Sequence, residues 1–178
     1  MSSSKRLEIM KHLTQVLSGI WPDNGYEFDL RERVYRGRAS MTTGGDLDQR
    51  PALSILEPKT INPGSYADEM ATYRKDRWVV LLQGWVGQRD HDPDNPTDAA
   101  YRLAADVEKC LSGIVSVGPT GQALYPGIYL LGKKVTAMEL SQPTVRPAED
   151  GFSDRAYFYL PIAFTLASDI SQPGDQQR

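Results

Sequence analysis

The chain has 178 residues, with 20 Lys and Arg against 23 Asp and Glu, two His and one Cys. This length predicts one domain that is large enough to bury a core without covalent cross-links. One cysteine excludes an internal disulfide framework, and one Cys with two His cannot supply the four ligands of a structural zinc site. The formal charge of −3 provides no overall attraction to nucleic acid or to an anionic membrane.

Targeting and membrane segments are not predicted. The longest apolar run, at residues 78–82, is far shorter than the ~20 residues of a membrane helix. Polar residues interrupt the stretch after Lys5 and Arg6, so the apolar segment of a signal peptide is missing. We expect a cytoplasmic protein, or one that is assembled in a cytoplasm.

Two segments have the three- and four-residue apolar spacing of a helix. The first has its apolar face at Leu7, Met10, Leu13, Leu17 and Ile20. The second has its apolar face at Ala100, Leu103, Ala104, Val107, Leu111 and Ile114. Ser3 or Ser4 is suited to cap the first helix, and Thr97 the second. Gly19 and Gly113 follow the last turns and are predicted to adopt the left-handed conformation.

Most other apolar segments have the pattern of strands. The even positions of residues 156–166 are all apolar, so one face of this strand is predicted to be buried. Pro161 cannot donate a ladder hydrogen bond, which predicts a sheet edge or a bulge there. Residues 78–86 are apolar on both faces, as is typical of a central strand. Shorter strands are predicted at 33–39, 52–56 and 134–140.

The resulting order, α-β-β-β-α-β-β, predicts an α/β (α+β) fold. We expect a mainly antiparallel or mixed sheet of four to five strands with two helices packed on one face. Residues 1–167 form the predicted single domain, and residues 168–178 a polar C-terminal tail. Long polar loops are predicted at 57–77 and 87–96.

Two helices cover only one face of such a sheet, so the other face needs a different cover. A neighbouring subunit is one candidate. The other is that the loop at 57–77 or the segment at 116–131 folds back over it.

The motifs that resemble reactive sites all fail a chemical requirement. Residues 127–134 nearly match a phosphate-binding loop, but Lys134 stands where a hydroxyl residue is needed. Residues 90–95 begin like a calcium loop, but the required sixth and twelfth residues are absent. Cys110 lies beside the apolar face of the second helix, as a buried thiol would. His12 is predicted to be exposed, and His91 lies in an acidic loop. We therefore predict no enzyme, and no catalytic, metal or cofactor-binding residue.

Opposite charges concentrate in two places. Arg31, Arg33, Arg36 and Arg38 form one cluster, and Asp90, Asp92 and Asp94 form the other. The arginines fit three roles: a nucleic-acid patch, a strand edge protected by charge, or pairing with a neighbouring subunit. Four arginines are too few to bind duplex DNA tightly, although a ring would repeat them around its lumen.

The order of segments over nearly the whole chain resembles the tail terminator (tail completion, minor tail) proteins of long-tailed bacteriophages. The residues that carry the resemblance are RLEIMKHLTQVLSGI near the N-terminus, VYRGR at 34–38, PALSILE at 51–57, WVVLLQGWV, PTDAAYRLAADVEKCL at 96–111, and the block from Thr144 to Leu166.

The resemblance implies a structural protein of the virion that is assembled in the host cytoplasm. Such proteins form a hexameric ring on the last ring of the tail tube, end tube polymerisation and contact a neck or connector protein, with DNA passing through the lumen. On this basis Arg33, Arg36 and Arg38 are predicted to pair with Asp90, Asp92 or Asp94 of a neighbouring copy. The alternatives are another neck component, such as a head-completion or connector-stopper protein, and a small DNA-binding module that uses residues 31–38.

Overall fold

The computed structural model describes residues 3–40, 49–59 and 72–171. It contains the helices α1 (Lys5–Leu17) and α2 (Asp98–Ser112) and a short helical turn, α3 (Leu130–Lys133). The strands are β1 (Val34–Arg36), β2 (Ala52–Leu56), β3 (Tyr73–Trp85), β4 (Ala137–Leu140), β5 (Thr144–Arg146) and β6 (Tyr157–Asp169). The predicted mixture of helices and a mixed sheet is confirmed.

The six strands form one sheet in the order β1-β2-β3-β6-β4, with β5 also paired to β6. β1 runs parallel to β2, and every other pairing is antiparallel. The central pair, β3 and β6, is in register over the full length of both strands, from Tyr73 opposite Asp169 to Trp85 opposite Tyr157. The sequence pattern predicted at most five strands and missed β5, which has only three residues.

β6 confirms the predicted alternation, because its even-numbered side chains from Phe158 to Leu166 are buried. The prediction that Pro161 marks an edge or a bulge is wrong, since β6 pairs on both flanks. The carbonyl of Pro161 accepts a hydrogen bond from Ser141 N at 3.0 Å, just after β4 ends. In an antiparallel strand the N and O of a residue point to the same side. The missing donor of Pro161 therefore faces the gap between β4 and β5.

Both helices pack on the face of the sheet that carries the even-numbered residues of β3 and β6, and together they form the main core. All six residues of the apolar face predicted for the second helix are buried, although the last, Ile114, lies just beyond the end of α2. In α1 the predicted face is rotated: Leu7 is exposed, whereas Ile9 and Val16 are buried with Leu13 and Leu17. Ser4 caps α1 and accepts a hydrogen bond from Leu7 N.

The predicted left-handed glycines after the helices are wrong. Gly113 has φ −60°, and Gly19 is not among the residues with positive φ. Instead, each N–H continues a tight turn, from Gly19 to Val16 O and from Gly113 to Cys110 O. A Cβ would lie 3.0 Å from Val16 O at Gly19 and 3.3 Å from Cys110 O at Gly113. Close approach to the last turn therefore favours glycine at both positions.

By the described residues, the opposite face of the sheet is covered at one end only. Gln83 and Trp85 are buried there, and Phe152 packs on Tyr157 and Tyr159. Farther along, Val79 and Leu81 are only half-buried. The segment 116–131, one of the predicted covers, lies beside the two helices instead. Most of the loop predicted at 57–77 lies outside the described residues, and its last part is the start of β3. The tail predicted at 168–178 lies mostly outside the described residues, and its first two residues belong to β6, which runs to Asp169.

Candidate interaction surfaces

The arginine cluster is not one continuous surface, because Arg33 is only 4% exposed. Its guanidinium donates to the carbonyls of Pro51, at 3.4 Å, and Arg50, at 3.2 Å. Burial lowers the pKa of the Arg33 guanidinium. These contacts fix β1 beside the start of β2, so Arg33 acts within the fold rather than at its surface.

Arg31, Arg36 and Arg38 are exposed but differ in their surroundings. Arg31 makes a two-pronged ion pair with Asp29, at 3.0 and 2.7 Å, and lies over the ring of Trp21. Arg36 reaches α1, where it donates to Thr14 Oγ1 at 3.4 Å, and Arg38 stacks on Tyr35 of its own strand. Arg36 and Arg38 are thus the predicted interface cations that the structure places at the surface.

The acidic loop before α2 is partly organised by its own side chains. Asp92 accepts hydrogen bonds from Asp94 N at 2.9 Å and from Asn95 Nδ2 at 3.3 Å. These bonds hold the pKa of Asp92 below its usual value. Asp90 is less exposed, and burial raises the pKa of its carboxyl group. Within the described ranges, no group of three or more His, Cys, Asp and Glu is arranged to hold a metal ion.

The structure also contains a groove that the sequence reading did not predict. It has a volume of about 790 Å³ and lies between the C-terminal halves of α1 and α2 and the segment 116–128. Val16, Tyr26, Leu124 and Ile128 supply apolar walls, and Gly19 and Gly113 mark the helix ends that meet there. We refer to this feature as the helix-end groove.

A small hairpin forms the rim of the helix-end groove. Gly118 N donates to Gln122 O at 2.8 Å, and Leu124 N donates to Ser116 O at 3.0 Å. Eight large apolar side chains are exposed in the described residues, and half of them belong to this short segment: Val115, Val117, Leu124 and Tyr125. A concentration of exposed apolar side chains on an ordered segment is typical of a surface that binds another molecule.

The inner wall of the groove contains the single thiol. Cys110 is buried and its Sγ lies 3.5 Å from the carbonyl oxygen of Val16, to which it donates. Burial raises the pKa of Cys110 to about 11 and that of Tyr26 to about 12. Lys109 lies 4.9 Å from the centre of the Tyr26 ring and donates to Gly25 O at 2.7 Å. Both acidic side chains are therefore neutral at pH 7, which is unfavourable for a thiolate nucleophile.

The near-match to a phosphate-binding loop does not form one. Residues 130–133 all have positive φ, between 47° and 69°. Leu131 is buried, and Leu130 N is bonded to Ile114 O at 2.8 Å. A phosphate-binding loop needs free N–H groups that lead into an α-helix, and here the four-residue α3 is followed by β4.

The sequence signal for the groove was weak. Leu124 and Tyr125 follow no helical or strand period, and they line the groove only because their segment packs against two helices. Val115 and Val117 are exposed but do not line it. His12, predicted to be exposed, is half-buried and lines this groove.

No helix in the described ranges is long and apolar enough to cross a membrane. In comparisons with known proteins, no family model matches the chain. No curated protein matches it either.

Proposed function

We propose that this chain is a structural protein of the tail of a long-tailed bacteriophage. In this proposal it caps the tail tube as a ring, of six copies by the family resemblance, ends tube polymerisation and joins the tail to the neck. Its partners are further copies of itself, the tail tube protein and a neck or connector protein. DNA passes through the lumen of the ring, and the protein resides in the virion.

The observation that supports this proposal best is the exposed apolar hairpin beside the helix-end groove. Both are held by backbone hydrogen bonds and by helix packing, so the surface is present before a partner binds. A preformed surface reduces the ordering cost of association. An apolar, ordered surface supports an assembly role more directly than a catalytic one.

The two charged clusters supply a second candidate contact. Arg36 and Arg38 are exposed at the β1 edge of the sheet, and Asp92 and Asp94 are exposed in the loop before α2. A head-to-tail ring brings different surfaces of neighbouring copies together, and clusters of opposite sign suit such a contact. Arg33, which belongs to the predicted set, is buried and contributes only by fixing β1.

Electron microscopy of the purified protein, with and without assembled tail tubes, tests the proposal. We expect a ring at one end of each tube and no growth of capped tubes when tube protein is added. Protein that ignores tubes but binds the head-side connector would favour the alternative of another neck component. Protein that binds neither would contradict an assembly role in the tail.

A further inference from the structure

One end of the central strand pair projects beyond the rest of the sheet. β2 pairs only with the Leu81–Trp85 part of β3, and β4 and β5 pair only with residues of β6 up to Thr165. Among the described residues, 73–76 and 166–169 therefore pair only with each other and form a two-stranded ribbon. Tyr73 and Ile170 lie at its end and are about half exposed, at 53% and 50%.

The ribbon is attached firmly to the first turn of α1. Lys5 Nζ donates to Ala167 O at 2.9 Å, and Arg6 pairs with Asp76 at 3.3 Å. The last turns of the same helix line the helix-end groove. A helix of 13 residues is about 20 Å long. The ribbon end and the groove thus lie at opposite ends of α1, which is the arrangement that a head-to-tail contact needs.

The chemistry of the two surfaces is complementary. The last turn of α1 contains no basic residue, so the negative end of its dipole is not compensated by its own side chains. Lys109, the basic residue in the last turn of α2, is bonded to Gly25 O. The ribbon presents the exposed Lys75 next to the exposed aromatic ring of Tyr73. A cation beside an aromatic ring fits an apolar groove at a helix C-terminus.

We infer that the helix-end groove binds the ribbon end of a second copy of this chain. Tyr73 and Ile170 of one copy pack against Leu124 and Tyr125 of the next, and Lys75 lies near the end of α1. This inference rests on the proposed ring and specifies its subunit contact. Because the two surfaces differ and lie apart, each copy binds one neighbour at each end.

Paired variants test the direction of the contact. We expect Tyr73→Asp and Tyr125→Asp each to abolish oligomers of the full-length protein in analytical ultracentrifugation. A 1:1 mixture retains one intact groove and one intact ribbon, so it should form a heterodimer and nothing larger. Tyr101→Asp is the matched control, because Tyr101 is equally exposed, at 59% against 56% for Tyr125, but lies on α2 away from both surfaces. Oligomers that survive either single variant, or a mixture that stays monomeric, would overturn the inference.

A cross-linking experiment detects the contact even where it is weak. A disulfide needs two Cα atoms within about 7 Å of each other. In a Tyr73→Cys/Tyr125→Cys variant, the two new cysteines of one copy lie at opposite ends of α1, which is too far apart for this bond. Covalent dimers and larger species are therefore expected between copies, both in concentrated protein and on tail tubes. Cys110 is buried and so should not take part in these disulfides. Their absence in both samples would overturn the inference.

The same two experiments separate this inference from the proposed function. Rings that cap tubes but persist with both aspartate variants would overturn the inference and leave the proposed function standing. Oligomers that need both surfaces but do not bind tubes would support the inference and contradict the proposed function.

Discussion

Arg6 of α1 lies 3.3 Å from Asp76 of β3, and this ion pair joins the first turn of the helix to the projecting ribbon. Arg74 Nε approaches the same carboxylate oxygen at 2.9 Å, and the guanidinium of Arg6 lies 5.1 Å from the centre of the Trp78 ring. The Asp76 side chain is only 1% exposed, whereas both arginines are partly solvated. The network therefore depends on one buried anion.

Replacing that anion is expected to be costly. Asp76→Asn keeps the shape but leaves two partly solvated guanidinium groups facing a neutral amide, and losing hydrogen bonds to a charged group costs about 1–3 kcal/mol. Urea denaturation measures the loss in free energy of unfolding. Glu139→Gln is the control, since the Arg77–Glu139 pair is exposed and should contribute less than about 1 kcal/mol. Equal losses in the two variants would contradict the assigned role of Asp76.

A side chain at position 84 is expected to destabilise the fold, because Gly84 lies where β3 passes under an aromatic ring. A Cβ there would lie 2.2 Å from Cε1 of Phe158 and 2.9 Å from Cδ2 of Leu53. Overpacking of this kind costs about 1–3 kcal/mol, so Gly84→Ala should lower the melting temperature by several degrees. Gly127→Ala is the control, since a Cβ at that position meets nothing within 4 Å. A Gly84→Ala variant as stable as the control would show that the core accommodates the methyl group.

The parts of the fold that the sequence predicts well are those with an unbroken local period. β6 alternates over residues 156–166, and α2 repeats apolar residues at helical spacing, because each element packs one face against the same core. The bounds predicted for β2 are also those observed. In each case a single physical requirement, burial of one face, determines the pattern.

The parts that were missed depend on partners distant in sequence. β5 contains one apolar residue, Val145, and is a strand only because β6 extends beside it. The sequence predicts that Arg33 is a surface cation, yet it is buried because the carbonyls of Arg50 and Pro51 accept its hydrogen bonds. The helix-end groove likewise exists only where two helix ends meet the hairpin. No local period encodes these contacts.

Asp29 should make stability fall in acid. Its ion pairs with Arg31 and, at 3.3 Å, Arg50 hold the pKa of this carboxyl at about 2. A carboxyl group whose pKa is lower in the folded state stabilises the fold at pH values above its unfolded pKa of about 3.9. That stabilisation is lost as the pH falls toward 2. Because both arginines are partly solvated, we expect Asp29→Asn to cost only about 1–2 kcal/mol at pH 7. The wild-type and variant curves of unfolding free energy should converge near pH 2, and curves that stay parallel would contradict the assignment.

Charge reversal at Arg36 tests the predicted interface between copies. Arg36→Glu removes an exposed cation whose only described hydrogen bond is a long one to Thr14 Oγ1, so the monomer should keep its melting temperature. Ring formation should be impaired, because the new carboxylate repels the acidic loop of the neighbour. Adding Asp92→Arg in the same chain should restore rings if the two positions meet. Rings that form normally with Arg36→Glu alone would exclude this contact.

Cys110 should destabilise the fold at alkaline pH. Its thiol is buried and has a pKa of about 11, above the unfolded value of about 8.5. An acidic group whose pKa is raised on folding leaves the free energy of unfolding unchanged while the pH stays below its unfolded pKa. As the pH rises from about 8.5 to 11, the folded state loses stability relative to the unfolded state. The unfolding free energy of the wild type should therefore decrease by about 3 kcal/mol over this range because of the thiol.

Cys110→Ala isolates this effect from the other alkaline groups. The variant is less stable at pH 7 because a buried atom is removed, but its loss between pH 8.5 and 11 should be smaller than that of the wild type. The pKa of Tyr26, about 12, is raised by burial and then by Cys110, so the substitution should reduce the alkaline contribution of Tyr26 in the same direction. A thiol reagent at pH 8 should react with Cys110 only at the rate of opening or unfolding, since the native Sγ is buried and protonated. Parallel pH profiles, or fast labelling of the native protein, would show that Cys110 is exposed to solvent and that the wall of the groove opens.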